Sequence, residues 1–97
     1  MTGWERIRKG IDARKLANNP ELGIRFDILR LEAGLIDVPH VHDGFEWVYV
    51  LEGSFEDQNG VHKQGDFIEN YQGQKHWVKS DDGCKILIVW TGSVSKA

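Results

Sequence analysis

The chain has 97 residues, with 12 Lys and Arg against 15 Asp and Glu and a formal net charge of -3. That length supports one folded domain around one core and excludes a second. The acidic balance offers no polybasic surface for nucleic acid or anionic lipid, and the longest apolar runs, residues 47–51 and 86–90, fall far short of the roughly 20 residues a membrane-spanning helix needs.

In residues 1–10, Trp4 and Ile7 stand at helical spacing with Ile11, interrupted by Gly10, and the segment is read as an arm, mobile or docked on a partner. It lacks the apolar core of a signal peptide, and the single cysteine, Cys84, cannot form an internal disulfide, so a cytoplasmic location is expected. The folded domain is expected over residues 11–91, with a frayed tail at 92–97. A short strand is predicted at 11–16, ahead of the loop chemistry of Asn18, Asn19 and Pro20. Residues 24–32 open with alternation at Ile24, Phe26 and Ile28 and then change phase to Leu29 and Leu31, which predicts a β-bulge. Ala33 and Gly34 make a turn, and Pro39 suits a loop or edge position before the next strand.

That strand carries His40 and His42, and Glu46 follows four residues later. Side chains alternate on a strand, so the two histidines share a face and stand roughly 6.6 Å apart, a gap that one ion bridges through two imidazoles at about 2 Å each. Glu46 has the same parity, but a straight strand would carry it about 13 Å beyond His42. The spacing therefore predicts a hairpin, with Asp43, Gly44 and Phe45 as its connection and Glu46 directly across from His42. His76 lies downstream as a third imidazole.

After Gly53 the pattern stays β: residues 54–58, an Asn59-Gly60 hairpin signal, 61–63, 66–70, 76–80 and 84–90, with turn residues between. Short strands at this spacing predict an all-β sandwich or barrel. Two of them are apolar on both faces, with Trp47, Tyr49 and Leu51 opposite Val48 and Val50, and Leu87 and Val89 opposite Ile86, Ile88 and Trp90. A small barrel has one interior, so the second face needs a cover from the arm or from another subunit, and a homodimer is expected. Elsewhere the residue types read as structural: His62 as solvated surface, Cys84 as a small packed residue, and Phe26, Trp77 and Val48 as core. Tyr71 and Lys79 are the nearest candidates for a proton donor or substrate clamp, but read as turn and surface residues, and no catalytic residue is assigned.

Gly34, His40, His42, Glu46 and Gly53 match the first motif of the cupin superfamily without a gap. Gly65, Gly73 and His76 match the second, in which Tyr71 replaces a proline and Ser80 an asparagine. The chain is thus identified as resembling the cupins, which implies a jelly-roll barrel (double-stranded β-helix) with one divalent metal ion, iron, zinc, manganese or nickel, held by His40, His42, Glu46 and His76. Within the superfamily, residues 51–55, Asn59-Gly60, Gly65-Asp66 and the stretch 82–84 resemble the ChrR-like cupins over about residues 11–91. That family includes the metal-binding domain of certain anti-sigma factors and small dioxygenases of diketones and hydroxylated aryl ketones. The resemblance implies either a metal-dependent dioxygenase, less readily an isomerase, of a small oxygen-chelating substrate, or a non-catalytic module that senses metal or ligand. The helical zinc domain of the anti-sigma factors has no counterpart in this sequence.

Overall fold

The computed structural model describes residues 3–42, 44–71, 73, 75–91 and 94–96; the side chains of residues 38–42, 76 and 94–96 lie outside the described part. Ten strands follow one another: β1 Trp4–Arg8, β2 Ile11–Asn19, β3 Ile24–Leu31, β4 Leu35–His42, β5 Glu46–Asp57, β6 Gly60–Lys63, β7 Phe67–Asn70, β8 Lys75–Ser80, β9 Cys84–Thr91 and β10 Val94–Lys96. All pairings are antiparallel, in the spatial order β1-β2-β3-β9-β5-β8-β4-β10, with β6 and β7 attached to β5. The 12-residue β5 belongs to both walls: its first half pairs with β9 and β7, its second with β6 and β8. The sheet therefore curls into the expected jelly-roll barrel. No helix among the described residues is long and apolar enough to cross a membrane.

The core follows from strict alternation. In β9, Cys84, Ile86 and Ile88 are buried while Lys85, Leu87 and Val89 between them are half-buried. Across the ladder Ile88 faces Val48 and Asp27, and Ile86 faces Val50 and Leu29, so each inward row is continued by its neighbours. Burying each such aliphatic side chain contributes about 1.5–3 kcal/mol. Burial also pushes the Cys84 thiol up to about 11, against a weaker opposing hydrogen bond with Ser80. At pH 8 roughly one molecule in a thousand would carry the thiolate, so Cys84 is expected to stay unmodified by a maleimide in the native protein and to react fully in denaturant. Rapid native labelling would contradict that assignment.

Five local expectations change. Residues 94–96, expected in a frayed tail, form β10 and pair with β4. Trp4–Arg8, expected in a mobile or partner-docked arm, is a strand: β1 pairs with β2, and the Arg8 guanidinium donates to both oxygens of buried Asp37, at 3.0 and 2.6 Å. The bulge lies one strand away from the phase change. The β2–β3 register skips from Lys15 opposite Asp27 to Ala17 opposite Phe26, leaving Leu16 as the extra residue, while β3 runs in regular register against β9. The Asn59-Gly60 hairpin exists, but Asp57 pairs with Gly60, so Gln58 and Asn59 form the turn and the Asp57 carboxylate accepts the Asn59 N–H at 2.9 Å. Lastly, β4 and β5 do not pair among the described residues; the neighbours of β4 are β8 and β10.

The outward faces of β7, β5, β9 and β3 form a continuous apolar surface. One row runs Phe67, Tyr49, Leu87, Ile28, and the next carries Trp47, Val89 and Phe26. Phe67 is 64% exposed and Tyr49 42%. β1 extends the sheet edge beside β2, and its Trp4 lies against Arg30 and Lys85, the next outward pair after Ile28 and Leu87.

Candidate metal centre

Strand β4 reaches the site through a bulge. Asp37 pairs with Val78 and His40 with His76, which leaves one extra residue in β4 around Val38 and Pro39. A bulge is one of the few positions in a sheet that tolerates a proline without its N–H. On its other edge β4 meets β10, with His42 opposite Val94 and His40 opposite Lys96. The backbone thus sets His40 and His76 directly across a ladder, with His42 two residues further along. The side chains of all three histidines lie outside the described residues, as does Asp43.

Glu46 arrives by a different route from the predicted hairpin. Gly44 is buried so closely against β9 that a β-carbon there would overlap the Thr91 carbonyl oxygen. Phe45 then exchanges two hydrogen bonds with Thr91: its N–H donates to Oγ1 at 2.8 Å, and its carbonyl accepts the Thr91 N–H at 2.9 Å. These contacts commit β5 to β9, so Glu46 lies opposite Trp90 and Asn70, not His42. The glycine serves a close approach of two backbones across the barrel, and the connection crosses from one wall to the other.

Glu46 is 4% exposed, and its Oε1 accepts a hydrogen bond from Asn70 Nδ2 at 2.9 Å. Asn70 is buried too, and its Oδ1 has no partner among the described residues. The indole N–H of the adjacent Trp90 donates to buried Asp27 at 2.8 Å, and the Arg25 guanidinium sits 4.9 Å from the Trp90 ring centre. Glu46, Asn70 and Trp90 line an internal cavity of about 50 Å³ whose other walls include Val48, Ile86, Ile88, Phe55 and Asp57. A carboxylate removed from water and aligned by an amide is costly unless a cation or further donor meets it, which is the donor chemistry a divalent ion requires. Among the described residues, no three His, Cys, Asp or Glu side chains form a metal-holding group.

The remaining assignments divide. Val48 is core and lines the cavity, whereas Phe26 is on the outer face and Trp77 is half-buried. Tyr71 is exposed; a hydrogen bond and the charge of Glu69 raise its phenol, and its ring meets Phe45 edge-on at 6.4 Å. Lys79 lies 3.5 Å from Glu56. Ser80, where the cupin motif has asparagine, is 1% exposed and donates to the Ser54 carbonyl at 2.6 Å, keeping a supporting hydrogen bond between β8 and β5. His62 is not solvated: its side chain is 16% exposed, 2.9 Å from Asp57 and 5.0 Å from the Phe55 ring centre. Asn70, Trp90 and Asp57 were not anticipated, although Asn70 and Asp57 share the parity of buried Ile68 and Phe55 and so were detectable as polar residues in core-facing positions.

A curled antiparallel barrel with this ladder of motif residues defines a small cupin. The sequence matches the ChrR Cupin-like domain model over residues 1–95, and the chain belongs to that family. No curated protein matches the sequence significantly. Among solved structures, an acetylacetone dioxygenase from Acinetobacter johnsonii superimposes with a TM-score of 0.86 at 16% identity, over 95% of this chain and 70% of that one. An RmlC-like cupin from Ralstonia eutropha JMP134 gives 0.84 at 18%, covering 94% of this chain and 64% of its own length. The Rhodobacter sphaeroides complex of SigE with anti-sigma ChrR gives 0.79 at 24%, over 89% of this chain and 46% of that one. At these identities the likeness is one of fold. The chain spans about two thirds or less of the second and third of these proteins.

Proposed function

We propose that the protein binds one divalent metal ion through His40, His42, Glu46 and His76 and acts as a metal-dependent dioxygenase of a small, oxygen-chelating substrate. The observation that carries this reading is Glu46, buried at the cavity and aligned by Asn70 in a barrel whose register sets His40 opposite His76. Directly opposed residues of an antiparallel pair share a face, and His42 has the parity of His40, so three imidazoles and one carboxylate are candidates for one ion. Three neutral imidazoles and one carboxylate would leave a divalent ion with a net charge of about +1, which favours an anionic oxygen ligand. Bound six-coordinate, iron, manganese or nickel would supply Lewis acidity and two further coordination positions, and a redox-active ion would engage dioxygen. The chain's own contribution is a small cavity whose Val48, Ile86 and Ile88 walls suit the apolar part of a substrate, with Glu46 and Asn70 at its polar side. The free Cys84 thiol suits a reducing compartment such as the cytoplasm.

Metal analysis of protein purified without added metals, paired with oxygen uptake on 2,4-pentanedione, tests the proposal. A redox-capable ion near one per chain with oxygen consumption is expected. A closed four-coordinate zinc site without turnover would instead favour the second reading, a metal- or ligand-sensing module. The exposed apolar face supports that reading, because it offers a docking surface. We assign this face to a second copy of the chain: Phe67, Tyr49 and Phe26 are exposed on it, and its two apolar rows suit a two-fold contact. Light scattering at micromolar concentration is expected to give twice the chain mass, and a monomer would exclude the assignment.

A further inference from the structure

Asp57 closes β5 and is 2% exposed. Its Oδ1 is committed, accepting the Asn59 N–H at 2.9 Å and lying 2.9 Å from His62 Nε2. Its Oδ2 is buried and has no partner among the described residues, yet the residue lines the cavity that Glu46 also lines. A carboxylate oxygen withdrawn from water without a donor costs more than a satisfied hydrogen bond gains, so a donor inside the cavity would relieve it. The neighbouring carboxylate does not share this need, because Arg8 donates to both oxygens of Asp37.

Register places the group. Glu56 pairs with Lys79, so Asp57 stands beside Val78, two residues from His76. One strand spacing and two residue rises put the Asp57 and His76 backbones about 8 Å apart. The same cavity is lined by apolar Phe55, Val78, Leu29 and Ile86 and by the ion pair of Arg8 and Asp37. A cationic group is thus already present on the cavity wall, and the one oxygen left without a donor needs only a single hydroxyl. At about 50 Å³ the cavity holds the equivalent of roughly three or four waters, or as many ligand heavy atoms.

We propose that Asp57 Oδ2 is a hydrogen-bond-accepting subsite for the hydroxyl group of a small neutral ligand in the barrel cavity, with Asn59 and His62 holding the carboxylate in position. The subsite stands whether or not the histidines hold a metal.

The pair 2-propanol and acetone tests it, since they match in size but only the alcohol donates. Protein as purified is titrated with each while the methyl resonances of Val48, Val78, Ile86 and Ile88 are followed. Saturable shifts are expected from 2-propanol with a Kd about tenfold below that of acetone. Asp57→Asn keeps an oxygen for Asn59 and His62 and sets an amide donor where Oδ2 was, so the preference is expected to invert towards acetone. Asp57→Leu is expected to abolish it. Equal affinity of the wild type for both probes would overturn the proposal, as would an unchanged preference in Asp57→Asn. Absence of saturable shifts with either probe would show a site for water only, and would overturn the ligand assignment. Metal content measured on the same samples reports on the histidine site separately, so either reading can fail alone.

Discussion

Replacing His42 by alanine is expected to remove most of the bound metal from purified protein. The proposed set has one carboxylate and three imidazoles, and the loss of a direct ligand should exceed the ~10–100-fold affinity loss typical of a supporting residue. Asn70→Ala supplies that comparison: Asn70 would not bind the ion but aligns Glu46 through a 2.9 Å hydrogen bond, so an intermediate loss of about 10–100-fold is expected. Metal analysis after gel filtration measures both. Thermal stability adds a second readout, because metal present at about 100 times its Kd stabilises the fold by roughly 2.7 kcal/mol, and chelator should lower the melting temperature of wild type but not of His42→Ala. Stoichiometric metal in His42→Ala would show that the ligand assignment is wrong.

Gly53→Ala is expected to be strongly destabilising for a single added methyl. Gly53 has φ +73°, and a β-carbon there would overlap the Gly83 carbonyl oxygen and stand 3.0 Å from the Cys84 Cα. Both obstacles are backbone of the adjoining β9 turn, which cannot rotate away. Left-handed strain alone costs about 1–2 kcal/mol, and displacing a paired strand raises the total to roughly 3 kcal/mol or more. For a domain of this size that lowers the melting temperature by about 12 °C or more. Gly23→Ala isolates the strain, since φ there is +67° with nothing within 4 Å of the added carbon. It should cost clearly less, and equal losses for the two variants would refute the backbone-overlap explanation.

Much of the barrel was legible from residue order, because alternation and turn chemistry are local. Parity alone groups Ile86 with Ile88 on one face, and the Asp57–Gly60 turn was recoverable to within one residue. Strand partnership is not local. Asp43, Gly44 and Phe45 have the composition of a hairpin turn, yet Thr91, far along the chain, captures Phe45 and draws β5 onto β9. The same blindness hid Asn70, whose place beside Glu46 depends on β7 folding back onto β5. His62 was misread because its burial comes from Asp57 and Phe55 across the β5–β6 ladder, whereas its neighbours Val61 and Lys63 are exposed. The motif residues Gly34, His40, His42, Glu46 and Gly53 marked the family, whereas the crossing from β4 to β5 that separates His42 from Glu46 was not readable from their spacing.

The double membership of β5 bears on how the molecule opens. Glu46 begins this strand and Asp57 ends it, while Val48 and Val50 in its first half are among the most deeply buried residues of the core. A strand hydrogen-bonded to both walls cannot be released from one without loosening the other. The amide protons of Val48 and Val50 should therefore exchange with solvent only when the whole barrel unfolds, and the two polar ends of the cavity would be lost in the same event.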